Sequence, residues 1–116
     1  MQTVVETPAF LRDAESLGMT EAERLEIRNA IAANPTGGTV IPGTGGARKI
    51  RFKARNKGKS GGYRVITFYT GLQFPVFLLN AFAKNEKTNL SPLECVLFKE
   101  ILGEITRHYT KQKGSK

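Results

Sequence analysis

The chain has 116 residues, of which 40% are hydrophobic, so it is long enough for one folded domain with a single core and too short for two. Leucine, isoleucine, valine and phenylalanine are spread along it, which excludes a disordered basic tail. Eighteen Lys and Arg residues against ten Asp and Glu give a net charge of +8, which is typical of proteins that bind a polyanion.

The single cysteine, Cys95, excludes an internal disulfide. It falls in a predicted helix beside Val96 and Leu97, and a catalytic thiol would need a histidine close by. The lone histidine, His108, is 13 residues further along the same helix, so a thiol enzyme is not indicated. The sequence has neither a leader-like start nor a long apolar stretch, which predicts a cytoplasmic protein with no membrane partner.

The N-terminal third predicts a short strand followed by two helices. Residues 2–6 are rich in β-formers, and Thr7-Pro8 then has the pattern of an N-cap with proline at the first helical position. This helix is expected to end near Leu17, before Gly18. Thr20-Glu21-Ala22-Glu23 is a capping box, and we expect the second helix to run to about residue 33 with Leu25, Ile27 and Ile31 on its apolar side.

The middle of the chain predicts turns and then three strands. Residues 36–46 contain Gly-Gly, Pro-Gly and Gly-Gly pairs, which favour turns. Residues 48–54, 63–70 and 73–82 read as strands, with a loop at 55–62. Successive strands with short connections indicate an antiparallel meander.

The last helix is predicted from a second capping box, Ser91-Pro92-Leu93-Glu94, to about Thr110. Leu93, Leu97, Ile101 and Ile105 recur every four residues and are expected to pack on the rest of the fold, with Phe98, Leu102 and Tyr109 beside them. We therefore expect one α+β domain over residues 1–110 and a polar tail over 111–116. Its element order is β-α-α-β-β-β-α, with helices packed on an antiparallel sheet.

Residues 48–64 hold eight cations and no acid. Two apolar residues, Ile50 and Phe52, alternate with Lys49, Arg51 and Lys53, so the period of two places these three cations on one strand face. Like charges repel and resist burial, so such a cluster indicates an anionic partner. RNA or DNA phosphate is the first candidate, and an acidic segment of a partner protein is the second.

Three segments follow one another along the chain: Gly43-Thr44-Gly45-Gly46-Ala47-Arg48-Lys49-Ile50-Arg51, Gly58-Lys59-Ser60-Gly61-Gly62-Tyr63-Arg64-Val65-Ile66, and Lys84-Asn85-Glu86-Lys87 followed by Asn89-Leu90-Ser91. In this order they resemble a HigB-type toxin of the RelE/ParE toxin–antitoxin superfamily. The resemblance covers residues 3–106 and implies a RelE-like fold. It also implies a ribosome-dependent endonuclease that cuts mRNA in the A site, without metal or cofactor, by attack of the ribose 2′-hydroxyl on the adjacent phosphate.

The resemblance further implies the partners. These are the 70S ribosome with its rRNA and mRNA, and a cognate antitoxin, which in the HigB branch is HigA-like and carries a helix-turn-helix domain. Operator DNA is then a partner only through the antitoxin.

Four residues match the basic positions that would act in catalysis: Arg64, Lys49, Arg51 and Lys84. Arg64 is expected to stabilise the transition state, because its planar fork suits bidentate phosphate contact. Lys49 is a candidate general base, whereas a guanidinium cannot give up its proton. Six further cations are expected to bind RNA: Arg48, Lys53, Arg55, Lys57, Lys59 and Lys87.

The sequence departs from the RelE pattern in two places. Asn85 stands where a second basic residue is usual, and Ser91 stands about where RelE carries a tyrosine that stacks on a base. Two alternatives therefore remain open beside the nuclease. One is a ParE-like inhibitor of DNA gyrase, and the other is a catalytically inactive RNA-binding module.

Overall fold

The computed structural model describes residues 2–53, 62–71, 73–83 and 90–114. Its elements in chain order are β1 (Val4–Glu6), α1 (Pro8–Leu17), α2 (Glu21–Ala33), β2 (Thr39–Val40), β3 (Arg48–Lys53), β4 (Gly62–Phe68), β5 (Val76–Ala83) and α3 (Pro92–Gly114). The five strands form one sheet in the order β1-β5-β4-β3-β2, which confirms the α+β class. In the described part of the chain, no helix is long and apolar enough to cross a membrane.

The sheet differs from the predicted meander at both edges. A two-residue strand, β2, pairs with β3 inside the segment predicted as turns. At the other edge β1 lies parallel to β5, with Val4 beside Val76, so the prediction of a wholly antiparallel sheet was wrong for this strand. A parallel pair cannot be joined by a tight turn, and two helices and three strands lie between β1 and β5 along the chain.

The starts of α1 and α2 follow from local sequence, as predicted. Thr7 caps α1 by accepting a 3.2 Å hydrogen bond from the backbone N–H of Phe10. Gly18 ends the helix with φ of 73°, a left-handed conformation that favours glycine. The capping box of α2 is complete: Thr20 and Glu23 each accept a 3.0 Å bond from the other's backbone N–H.

Helices cover both faces of the sheet, and each face has its own core. α1 and α2 pack on one face through a cluster of Phe10, Ala14, Ile27, Ile31, Val65, Val76, Leu78 and Ala81. α3 packs on the other through Ala47, Ile66, Phe68, Phe77, Leu79 and Leu102. Leu25 was predicted on the apolar side of α2, but it is 49% exposed, so Ile27 and Ile31 carry the packing.

The packing of α3 corrects the predicted apolar side. Its capping box forms, with bonds of 2.8 and 3.2 Å between Ser91 and Glu94, and the helix continues to Gly114 instead of ending near Thr110. Leu102, however, is the position buried against the sheet, at 2% exposure. Phe98 and Ile105 are half-buried beside it. Leu93, Leu97 and Ile101, which were predicted to pack, are 49–67% exposed.

Candidate nucleic-acid interface

Four cations lie on the sheet face that α3 partly covers, and we call Lys49, Arg51, Lys53 and Arg64 the basic face. The first three alternate along β3 with Ile50 and Phe52, which pack into the core under α1 and α2. Arg51 pairs directly with Arg64 of β4. Direct cross-strand partners share a face of the sheet, with Cβ atoms roughly 4.5–5.5 Å apart. The prediction that Lys49, Arg51 and Lys53 share a face agrees with this register.

Arg64 is the most unusual member of the basic face, because it is only 5% exposed. Its Nε is buried and has no hydrogen-bond partner among the described residues. Its neighbours on the same face are Arg51 on β3 and Phe82 on β5. A buried guanidinium usually has a carboxylate or several acceptors around it, because isolated burial of a charge is costly. Its two cross-strand neighbours in the sheet, an arginine and a phenylalanine, carry no side-chain oxygen that could accept a hydrogen bond from Nε.

The remaining cations of the basic face are more accessible. Arg51 and Lys53 are exposed, and Lys49 is half-buried. The basic face therefore has a buried arginine on β4 and more accessible cations on the neighbouring strand β3. This arrangement can attract a phosphate through the exposed charges and hold it against a fixed guanidinium.

Arg48 does not lie with these residues, although it was predicted to bind RNA with them. The alternation along β3 places it on the side of Ile50 and Phe52. Its Nη1 donates a 2.8 Å hydrogen bond to the backbone oxygen of Thr36, which ties β3 to the segment that follows α2. The structure therefore gives Arg48 a structural contact. Five other predicted site residues, Arg55, Lys57, Lys59, Lys84 and Lys87, lie outside the described residues.

A polar contact that was not predicted from the sequence joins α1 to β5, at residues of β5 that follow the part paired with β1. The Asp13 carboxylate of α1 accepts hydrogen bonds from the backbone N–H of Ala81 at 2.9 Å and from the Asn80 side chain at 3.0 Å. Asn80 is the only polar residue in β5, and such a residue inside an apolar strand needs a partner. That isolated asparagine was the signal available in the sequence.

A groove of about 580 Å³ opens beside this contact, between α1, the edge of β5 and the first turns of α3, and we call it the α1–α3 groove. Phe82 lines it and is also the cross-strand neighbour of Arg64, so the groove adjoins the basic face. Within the described ranges, no group of three or more His, Cys, Asp or Glu side chains is arranged to hold a metal ion.

The family comparison covers both the fold and the basic face. The model of the RelE toxin of the RelE/RelB toxin–antitoxin system matches residues 4–114, which is nearly the whole chain. Toxins of this family are paired with a cognate antitoxin, and they are generally endoribonucleases. The match spans every strand of the sheet and all of α3. The chain belongs to the RelE toxin family.

Proposed function

We propose that this toxin is a ribosome-dependent mRNA endonuclease that acts in the cytoplasm and stops translation by cutting mRNA in the ribosomal A site. The observation that carries the proposal is Arg64, a guanidinium at 5% exposure whose Nε has no partner among the described residues. Its nearest cross-strand cation is Arg51. A phosphate bound beside Arg64 and Arg51 would accept hydrogen bonds from these guanidinium groups and offset the repulsion between them.

The proposed reaction uses the ribose 2′-hydroxyl as nucleophile. Its oxygen attacks the adjacent phosphorus, the bond to the 5′-oxygen of the next nucleotide breaks, and a cyclic phosphate and a 5′-hydroxyl result. Such a step needs a base for the 2′-proton, positive charge at the phosphorane and an acid for the leaving oxygen. The basic face offers cations for the first two roles, and the third is assigned to Lys84, so the proposed reaction does not call for a metal ion.

We assign charge stabilisation at the phosphorane to Arg64, because a buried and fixed guanidinium needs little reorganisation during the reaction. Lys49 is the candidate base, and Arg51 contacts the same phosphate from β3. Lys84 is the candidate acid on the basis of its match to the family pattern. We expect Lys53 to hold the neighbouring backbone phosphate. The RNA contacts of Arg48, Arg55, Lys57, Lys59 and Lys87 stay predictions from the sequence.

The ribosome would supply what the basic face lacks. Exposed cations attract RNA of any sequence, but in-line attack needs the 2′-oxygen, the phosphorus and the leaving oxygen to be aligned. An mRNA held in the A site is restrained in a way that free RNA is not. The antitoxin that controls this activity is proposed to be HigA-like with a helix-turn-helix domain, so that operator DNA is bound only through it.

The test is primer extension on stalled 70S ribosomes that carry a defined mRNA. Wild-type protein should produce A-site cuts, and Arg64→Ala should reduce their rate by about a hundredfold or more, as loss of a transition-state donor does. Arg12→Ala is the matched control. Arg12 is an exposed arginine on α1, so this variant should cut mRNA at the wild-type rate.

Two further reactions define the mechanism. Cutting should be insensitive to which divalent cation keeps the 70S ribosome assembled, and it should nearly vanish when the ribosomes are left out. Intact mRNA with the wild-type protein would contradict the proposal, and a DNA gyrase supercoiling assay would then test the ParE-like alternative. Full cutting by Arg64→Ala would remove this residue from the reaction.

A further inference from the structure

α3 carries apolar side chains on two of its sides, and only one of them faces the sheet. Leu102 is buried there at 2% exposure. On the other side Leu93, Val96, Leu97 and Ile101 are 67, 53, 49 and 49% exposed. Single exposed apolar residues are ordinary on protein surfaces, but a stripe along about two turns of one helix is typical of a partner-binding site.

The exposed stripe runs along the rim of the α1–α3 groove. Leu97 and Ile101 belong to both, and the opposite wall includes Leu17 from α1. Two aromatic side chains, Phe82 of β5 and Phe98 of α3, also line the groove. The combination of a groove of about 580 Å³ with an apolar rim is suited to the apolar side of an amphipathic helix.

The charges of the groove are opposite in sign to those of the chain as a whole. Among the described residues that line it, the charged side chains are Asp13 and Glu94, while the chain has a net charge of +8. Both carboxylates are fixed by hydrogen bonds: Asp13 by Ala81 and Glu94 by the backbone N–H of Ser91. Negative charge here disfavours RNA phosphate and favours a partner side chain that is Lys or Arg.

We infer that the α1–α3 groove is the docking site for an amphipathic helix of the cognate antitoxin. That helix would place apolar side chains at i, i+4 and i+7 against Leu97, Ile101 and Phe82, and a Lys or Arg near Asp13 and Glu94. The inference rests on the pairing of RelE toxins with an antitoxin and does not depend on the proposed nuclease chemistry. A second copy of this chain fits less well, because a two-fold contact would bring the same carboxylates toward each other.

The test measures the affinity of purified full-length toxin variants for the purified product of the antitoxin gene of the same operon, by calorimetry. Leu97→Glu and Ile101→Glu should each weaken binding at least tenfold, since both place a charge in the proposed interface. Leu25→Glu on α2 is the matched control, because Leu25 is 49% exposed like the other two and lies outside the groove. Circular dichroism on each variant checks that it is folded.

A second variant tests the charge argument. Glu94→Gln retains a side chain that can cap α3 but removes the negative charge. It should weaken binding and flatten the dependence of affinity on salt relative to the wild type. Unchanged salt dependence would remove Glu94 from the interface and overturn the charge complementarity on which the choice of partner depends.

Three outcomes would overturn the proposal. These are wild-type affinity in both Leu97→Glu and Ile101→Glu, an equal loss in Leu25→Glu, or a toxin that is dimeric by light scattering and becomes monomeric with Leu97→Glu. Antitoxin affinity is read without any RNA present, so failure of the docking proposal is distinguishable from failure to cut mRNA. In cells, Leu97→Glu should stay toxic while the antitoxin no longer protects.

Discussion

The phenolic hydroxyl of Tyr63 donates a 3.2 Å hydrogen bond to Oε1 of Glu23, and so joins β4 to the start of α2. The same carboxylate oxygen accepts the backbone N–H of Thr20 in the capping box. Tyr63 is 4% exposed and Glu23 is 3% exposed. One carboxylate therefore completes the helix cap and holds the strand that carries Arg64 on its other face.

This contact predicts a loss of stability at alkaline pH. Burial, and then the negative charge of Glu23, raises the pKa of Tyr63 above its ordinary value of 10.0. Above pH 10 the unfolded chain releases the phenolic proton while the folded chain retains it, so the free energy of unfolding falls as pH rises through this range. Urea unfolding at pH 8 and at pH 10.5 would measure the effect.

The control for the alkaline loss is a pair of variants. Tyr63→Phe should lower the free energy of unfolding by about 1 kcal/mol at neutral pH and should lose less stability than the wild type above pH 10. Tyr69→Phe, at a half-buried tyrosine directly after β4, leaves the contact between Tyr63 and Glu23 in place and should therefore show the same alkaline loss as the wild type. Identical pH profiles for the wild type and Tyr63→Phe would refute the assignment.

Arg64 is expected to lower stability as well as to support activity. Its buried Nε has no described partner, and Arg51 lies directly opposite. Arg64→Met retains much of the apolar stem and removes the charge, so it should raise the free energy of unfolding by about 1–2 kcal/mol while abolishing mRNA cutting. Urea midpoints would measure the gain. A destabilised Arg64→Met would mean that the guanidinium has a stabilising partner.

Glu6 at the end of β1 is the centre of an ion cluster with two arginines of α2. Its carboxylate accepts bonds of 3.0 and 3.1 Å from Arg24 and one of 3.1 Å from Arg28. The hydrogen bond to Glu6 raises the pKa of Arg24. Because the Glu6 side chain is only 13% exposed, Glu6→Gln should lower the free energy of unfolding by about 1–2 kcal/mol.

Thermal unfolding at low and at 1 M salt would measure the Glu6 effect, which screening should reduce. Glu15→Gln, at an exposed position on α1, is the control and should change stability by less than about 0.5 kcal/mol. An equal effect of the two substitutions would show that the cluster contributes nothing specific.

Gly38 and Gly103 should respond to alanine in opposite directions. Gly38 has φ of +85°, and a Cβ there would lie 2.4 Å from the backbone oxygen of Lys49, so Gly38→Ala should destabilise the fold by about 2 kcal/mol or more. Gly103 lies inside α3, where the one described atom that a Cβ would approach is at the end of the Arg107 side chain, 3.5 Å away. Gly103→Ala should therefore stabilise by about 0.5–1 kcal/mol. Melting temperatures of the two variants would decide this, and a shift in the same direction for both would contradict it.

The features that the sequence predicted well are those with local causes. Thr20 with Glu23, and Ser91 with Glu94, form capping boxes because the bonded groups are three residues apart. The alternation in β3 likewise placed Lys49, Arg51 and Lys53 on one face, since the period of two is a property of the strand itself. To identify Arg64 as the residue opposite Arg51, the register of the sheet was needed as well.

The features that it predicted poorly depend on long-range packing. The four-residue spacing of Leu97 and Ile101 identified an apolar side of α3, but the helix has two such sides, and periodicity does not say which meets the sheet. β1 pairs in parallel with Val76–Leu78 of β5. A strand of three residues does not indicate by its own sequence which distant strand it will pair with. The hydrogen bond between the Asp13 carboxylate and the backbone N–H of Ala81 was not predicted either, because these residues are distant in the chain and meet only when it folds.

The parallel pairing of Val4 with Val76 also sets the order in which a newly synthesised copy can fold. β1, α1 and α2 leave the ribosome first, yet their core includes Val65, Val76 and Leu78, which are made much later. Until then the apolar sides of both helices have no sheet to cover. A nascent chain interrupted before β5 therefore displays surface that proteases recognise, and incomplete copies of the toxin should be short-lived.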